Sequence, residues 1–427
     1  MSFWLIENKE QLDYFQSKNY KKVFIELILG NNNYHPTLNN LSLIYIRPLS
    51  AHKGYMVAIS HSETLSCNIT HIDALLRTYD EVYVRDKKNY MYFFQLKSVL
   101  DINFIEKTPD ENLPFVFNHF YNLYSDNKDI NKIIPVVKHY ERCEELYKIV
   151  KPIIDKPLPN HFNFYNKNLT NIFWFIEQEG LKIDKDLLHN LNLHNSNYSI
   201  DDSKIYSKYN LYNITGRPSN SFNGLNFLSL NKKTGQRKTI IPDNDYLLEI
   251  DISAYHPTLA SQLIEYNFYK NPYELLSEEL NMGVGEAKLK MFEVIYGGNF
   301  KGLENIEFFS KLKKFIESLW EEFNKVGYVE ESISGFRFYK KDFNKEMNKY
   351  KLFNYLLQCK ETAQNVVILK KIITLLKDKE SKIILYTYDS FCLDMKKEEN
   401  NIINDILDIF KNFKLNTKIK EGVNYDF

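Results

Sequence analysis

The chain has 427 residues, enough for two or three domains with cores of their own, and its 44% hydrophobic and 26% charged content is that of an ordinary globular protein. Lys plus Arg and Asp plus Glu balance at 55 each, which excludes a uniformly basic body, so a polyanionic partner must be met by local patches. Cys67, Cys143, Cys359 and Cys392 form no CxxC pair, which argues against a zinc site or a disulfide framework, and no stretch approaches the ~20 apolar residues of a membrane span.

Up to about residue 150 the chain alternates β-rich runs (KKVFIELIL, LSLIYIRP, GYMVAIS, EVYVRD, YMYFF) with helical segments such as THIDALLRTY and PFVFNHFYNLY, the mark of an α/β or α+β domain. VKPIIDKPLPNHF then brings Pro152, Pro157 and Pro159 close together, a pattern that regular elements do not tolerate, and predicts a domain boundary near residue 155. Beyond it come a helix (LTNIFWFIEQEG), a polar stretch rich in Asn and Ser, and a strand, YLLEIDI. Its alternation predicts a half-buried strand ending at Asp251, with Pro257 in the first turn of the helix that follows. In KLKMFEVIYGG, Lys288, Phe292 and Tyr296 recur every four residues and so share one helix face, and Gly297 and Gly298 offer the left-handed conformation that closes a helix. Near the end of the chain, KIILYTYDSFCLDM predicts a hairpin with Asp389 in its turn.

An aromatic stripe at helical spacing also suits core packing, and an Asp in a tight turn also suits turn formation. The combination is what points elsewhere. Two carboxylates on the rims of adjacent strands suit hard, oxygen-seeking Mg²⁺ ions, and a pair of such ions about 3.5–4 Å apart is the recurring solution for displacement at phosphorus. A lysine- and ring-bearing helix opposite such a pair can grip a triphosphate with Lys288, stack a base on Phe292 and guard the next templating base with Tyr296.

On these segments the sequence resembles the family A DNA polymerases, the group of bacterial DNA polymerase I and many phage replicases, over most of residues 160 to 427. FIEQEGLKID is similar to the helix that opens the family's polymerase domain, and NITGRPSNSFNGLNFLSLNKKTGQR to its TGR-Ser segment, in which Arg217 would contact the primer-template. Asp251 and Asp389 fall on the two metal-binding Asp positions, with the carbonyl of Ile252 as an extra ligand. Lys288, Phe292, Tyr296 and Gly297 match the fingers signature K-x3-F-x3-YG, and GYVEESISGFR, ending at Arg337, looks like the family's GYVET…GR segment. NYLLQCKETAQNVVI resembles, with different spacing, the helix whose Gln lies against the primer terminus, which gives that place to Gln358.

There are departures as well. Val284 stands where the family has Arg, so part of the triphosphate grip must come from elsewhere. Ser390 replaces the Glu after the second Asp, as in single-subunit phage RNA polymerases, and His256 replaces the Glu that blocks a ribose 2′-hydroxyl, either as a gate or as a packing residue. Only residues 185–214 separate Asp184 from Thr215, where the family inserts a thumb, so low processivity is expected unless a processivity factor or other replisome protein supplies the grip. In the amino-terminal domain the proofreading-exonuclease ligands are eroded: Glu26 and Ile28 stand for the Asp-x-Glu pair, Asp86 echoes the second motif, and Tyr140 and Glu144 the third.

The resemblance therefore implies a ribonuclease-H-like, exonuclease-like α/β domain over residues 1–155 that has lost its activity. Residues 156–427 would form a palm and fingers polymerase domain with an antiparallel palm sheet and a minimal thumb. The implied activity is DNA-directed addition of dNTPs to a primer 3′-hydroxyl on primer-template DNA, with two Mg²⁺ ions, Mn²⁺ a candidate substitute, and Lys288 catalytic alongside the two Asp residues. The setting would be phage or mobile-element replication in a bacterial cytoplasm, without a membrane partner. The alternatives are an RNA-synthesising, primase-like polymerase or a catalytically silent primer-template-binding module.

Overall fold

Residues 3–32, 34–96, 98–106, 127, 129–191, 193, 203–220, 230–343 and 347–426 are described in a computed structural model of the chain. They divide into two units: the first runs to Trp174 and takes in 203–208, and the second holds most of the chain from Phe175 onward.

In the first unit the elements are β1 (Trp4–Ile6), α1 (Lys9–Ser17), β2 (Lys22–Leu29), β3 (Leu41–Pro48), β4 (Tyr55–Ala58), α2 (Ile69–Leu76), β5 (Glu81–Val84), α3 (Lys87–Met91), β6 (Val99–Asp101) and α4 (Val136–Ile154). The strands form one mixed sheet in the order β1-β4-β3-β2-β5-β6, with β2, β3 and β4 antiparallel neighbours and β2, β5 and β6 parallel. Both faces are covered, because successive side chains of a strand point to opposite sides and here both sets are apolar. Val23, Ile25, Ile44 and Ile46 pack with Leu12 and Phe15 of α1 and Leu75 and Leu76 of α2. Phe24, Ile28, Leu43 and Tyr45 pack with Tyr140, Cys143, Tyr147 and Val150 of α4.

Two expectations fail here. YMYFF is not a strand: α3 takes Tyr90 and Met91, because the Asp86 side chain caps the helix by accepting from Asn89 N at 3.0 Å. The proline run is not wholly outside regular structure either: Pro152 is accommodated in the last turn of α4, which ends at Ile154. PFVFNHFYNLY lies outside the described residues.

The second unit is built on β7 (Tyr246–Ile252), α5 (Tyr255–Leu263), α6 (Pro272–Leu280), α7 (Val284–Gly297), α8 (Glu307–Val326), the hairpin β8 (Tyr328–Glu330) and β9 (Arg337–Tyr339), α9 (Lys349–Leu375), β10 (Lys382–Tyr386), β11 (Ser390–Met395), α10 (Ile402–Asn412) and β12 (Thr417–Gly422). Four strands make an antiparallel sheet in the order β10-β11-β7-β12. β7 is central and is buried at every position except Asp251, more fully than its alternation predicts, since it has a neighbour on each edge and apolar residues at most positions. Pro257 falls in the first turn of α5, as its spacing predicts, and the hairpin of β10 and β11 turns through Thr387, Tyr388 and Asp389.

Of the two glycines after Tyr296, only Gly298 takes the left-handed conformation, at φ 69°, while Gly297 is the last helical residue. A Cβ at position 298 would collide with the Tyr350 ring, and one at position 297 would meet nothing within 4 Å. Gly298→Ala should therefore destabilise the second unit by about 1–3 kcal/mol, whereas Gly297→Ala should be neutral or add about 0.5–1 kcal/mol; thermal unfolding of the two variants beside the parent checks the opposite signs.

Candidate active site

Asp251 lies at the end of the central strand and Asp389 at the end of the adjacent hairpin turn, and the backbone fixes their relation. Asp251 is in register with Ser390 across the β7–β11 ladder, and Ile252 N donates to the Asp389 carbonyl at 2.7 Å. The residues that turn the chain beside each Asp, Ala254 at φ 51° and Tyr388 at φ 70°, hold left-handed conformations that are rare outside glycine. Both carboxylates line one cavity of about 410 Å³. Burial raises the pKa of each; the Asp251 charge raises that of Asp389 further, while Lys420, Lys418 and Lys288 pull that of Asp251 back down.

Such a pair calls for cations. Its donors are oxygens, the ligand type of Mg²⁺, although among the described residues no group of three or more His, Cys, Asp and Glu side chains is arranged to hold a metal ion. Two carboxylates supplemented by a backbone carbonyl and by oxygens of a bound substrate fit Mg²⁺, which commonly takes only one or two protein carboxylates.

The predicted stripe faces the same cavity. Lys288, Phe292 and Tyr296 of α7 line it, with Tyr273 of α6 beside them. The Lys288 ammonium lies 5.7 Å from the ring centroids of both Tyr273 and Phe292, and the Phe292 and Tyr296 rings are 5.7 Å apart. Arg217, Ile252 and His256 complete the set of predicted residues that the fold brings together. Three others are not in the cavity wall. Gly297 lies at the exposed end of α7, Arg337 pairs with Glu330 on the β8–β9 hairpin, and Gln358 donates to Asn354 at 3.1 Å on α9, one turn before Glu361.

Glu361 is the functional side chain that sequence reasoning missed. It is 1% exposed, its Oε1 accepts from Arg217 Nη2 at 3.1 Å, and its Oε2 lies 2.9 Å from Arg217 Nε and 3.2 Å from His256 Nε2. With the imidazole proton on the Glu361 side, His256 Nδ1 accepts from the Tyr296 hydroxyl at 2.6 Å, which links the α7 face to α9. Four residues along α9, Asn365 accepts from Tyr255 OH at 2.7 Å and donates to Tyr386 OH at 2.9 Å and to the Tyr388 carbonyl at 2.8 Å. The Arg217 guanidinium stacks 3.6 Å from the Tyr388 ring centroid. A signal existed: Leu357, Glu361, Asn365 and Leu369 recur every four residues, so two polar groups interrupt an apolar stripe.

In the first unit the residues that the resemblance aligns with nuclease motifs are engaged with other groups. Glu26 accepts from Nε and Nη2 of Arg85, Ile28 is core, and Asp86 caps α3. Glu144 accepts from Tyr45 OH at 2.8 Å, Arg47 Nη1 at 2.9 Å and Gly54 N at 2.7 Å.

No protein-family model matches this chain, and no curated protein matches its sequence. Among solved structures it is similar to the polymerase domain of Pol1 from M. smegmatis, determined in complex with DNA primer-template and dNTP, with a TM-score of 0.68 and 11% identity over 99% of each chain. The fold is that of a DNA polymerase domain.

Truncating Glu361 would leave Arg217 and His256 facing each other across a buried gap. Glu361→Ala is expected to cost on the order of 3 kcal/mol, and Glu361→Gln, which keeps an acceptor, clearly less; urea unfolding followed by tryptophan fluorescence measures the difference.

Proposed function

We propose that the chain is a template-directed DNA polymerase of the family A kind, adding dNTPs to a primer 3′-hydroxyl. One observation carries the reading: two carboxylates remote in sequence and the Lys288, Phe292 and Tyr296 stripe line a single cavity. The polymerase-domain fold supports it from an independent direction.

Asp251, Asp389 and the Ile252 carbonyl would hold Mg²⁺, with Mn²⁺ as a substitute. When bound there, the metal supplies acidification of the primer hydroxyl and neutralisation of charge at phosphorus. The remaining roles belong to the chain. Lys288 sits where an ammonium can counter the triphosphate and donate a proton to the departing pyrophosphate, and Phe292 offers a face to the incoming base. Tyr296 and His256, joined by their hydrogen bond, would border the sugar and the neighbouring template position. Arg217, held flat by Glu361 and Tyr388, would meet the primer-template with Gln358, Gly297 and Arg337 farther along the duplex.

Residues 1–155 read as an exonuclease-like domain without the activity. The order β4-β3-β2-β5-β6 within its mixed sheet suits a ribonuclease-H-like fold, and the carboxylates nearest the nuclease pattern are satisfied by Arg85 and Arg47. Residues 156–427 read as palm and fingers with little thumb, in a compact replicase of phage type acting in a bacterial cytoplasm. No described helix is long and apolar enough to cross a membrane. His256 in place of the expected gate residue favours one second reading, a polymerase that also accepts rNTPs, and paired dNTP and rNTP incorporation rates separate the two.

Asp251→Ala and Asp389→Ala should each lower Mg²⁺-dependent primer extension by on the order of 10³-fold or more without unfolding the chain; wild-type rates in either variant would refute the site. Incubation with a primer carrying a mismatched 3′ end should release no nucleotide, with Glu26→Ala indistinguishable from the parent. Single-encounter extension at physiological salt should give short products that lengthen as salt falls, since few backbone contacts are on offer.

A further inference from the structure

The α7 helix brings one cation, Lys288, to the cavity, because the residue one turn earlier is Val284, which lines the cavity and is 49% exposed. A triphosphate carries several negative charges, so one ammonium is a thin grip. Arg217 is already committed, paired with Glu361 and stacked on Tyr388. Among the described residues the cavity wall contains one more lysine, Lys418 on β12.

The ladder between β7 and β12 shows why Lys418 is open to a ligand. Glu249 is in register with Lys420, and Asp251 with Lys418, so two like pairs of residues lie side by side on one face of the sheet. The first pair closes: Lys420 Nζ lies 2.8 Å from Glu249 Oε2, and the other oxygen of Glu249 accepts from Ser390 Oγ at 2.9 Å. The second pair does not. Lys418 is exposed and forms no ion pair among the described residues, although its charge is felt at Asp251. An ammonium held at the cavity edge without a carboxylate partner is suited to phosphate oxygens, for which lysine acts as a point charge.

We infer that Lys418 is a triphosphate-binding residue that works with Lys288. The inference rests on the polymerase reading and extends it to a residue on the sheet rather than on the lid helix. It predicts that the contact is made to the β- and γ-phosphates, so that pyrophosphate competes for it.

The test uses the full chain on a primer-template whose primer ends in a dideoxynucleotide, with Mg²⁺ present, so that dNTP binding is read by the fluorescence of a 2-aminopurine in the template rather than by activity. Lys418→Ala is expected to raise the dNTP dissociation constant about tenfold and to weaken pyrophosphate competition in parallel, with Lys418→Arg restoring most of both. Unchanged dNTP and pyrophosphate affinities in Lys418→Ala would overturn the assignment. So would a tighter response to Mg²⁺ in Lys418→Gln with no change in dNTP affinity, which would make Lys418 a counter-charge to Asp251 alone. If the polymerase reading itself is wrong, the parent chain gives no dNTP-dependent signal and no extension, an outcome distinct from either of these.

Discussion

Two carboxylates held close together inside a folded chain are the constraint around which the second unit is arranged. The β7–β11 ladder and the bond from Ile252 N to the Asp389 carbonyl fix the backbone positions, so neither Asp can retreat from the other without breaking the sheet. Burial disfavours the ionised form of each, and at Asp389 the charge of Asp251 adds to that cost. Everything nearby reads as a response to it. Lysines stand on β12 and α7, Arg217 lies against the turn, and all of them line the same cavity as the two carboxylates.

The positions of these groups depend on α9 more than on the loops that carry them. Asn365 holds the Tyr388 carbonyl and the Tyr255 hydroxyl, and thereby fixes the Asp389 turn and the start of α5 to one helix. Glu361, one turn earlier on the same face, fixes Arg217 and His256. Asn365 has both its amide groups hydrogen-bonded, and Glu361 lies within ion-pair range of Arg217 and His256, so displacing either residue would strand buried polar groups away from water. Tyr209 adds to this by donating to the Tyr386 carbonyl at 2.7 Å and accepting from Tyr386 N at 3.0 Å, which ties the approach to the turn to a strand from another part of the unit.

Much of this was legible in the sequence where the signal was local. Alternation marks β7, two β-rich runs around a turn mark the hairpin, Pro257 marks the start of α5, and four-residue spacing marks the face of α7, because each signal is carried by neighbouring residues of one segment. YMYFF carries no such signal, because a five-residue aromatic run has no period of its own and the Asp86 cap decides its state. Glu361 and Lys418 were not assigned because their significance is tertiary: one is defined by two partners on other elements, and the other by a ladder partner it does not reach. Gln358, Gly297 and Arg337 came from motif correspondence, and the fold sets them outside the cavity wall.

The acidic groups at the eroded motif of the resemblance and those of the cavity differ in their surroundings. Glu26 and Glu144 in the first unit are closed by arginines, Arg85 and Arg47, with Tyr45 and the Gly54 amide completing the shell around Glu144. A guanidinium seated on a carboxylate fills the oxygens that a metal would use, and its planar fork leaves little room for exchange. Asp251 and Asp389 have no ion-pair partner among the described residues; the cations felt at Asp251 are lysines and the one felt at Asp389 is Arg217, whose own partner is Glu361. Arginine closes a carboxylate into the scaffold, whereas a lysine kept out of contact leaves it free to bind. By that criterion Glu26 and Glu144 belong to the scaffold, as Glu361 does beside Arg217, whereas Asp251 and Asp389 have no ion-pair partner among the described residues.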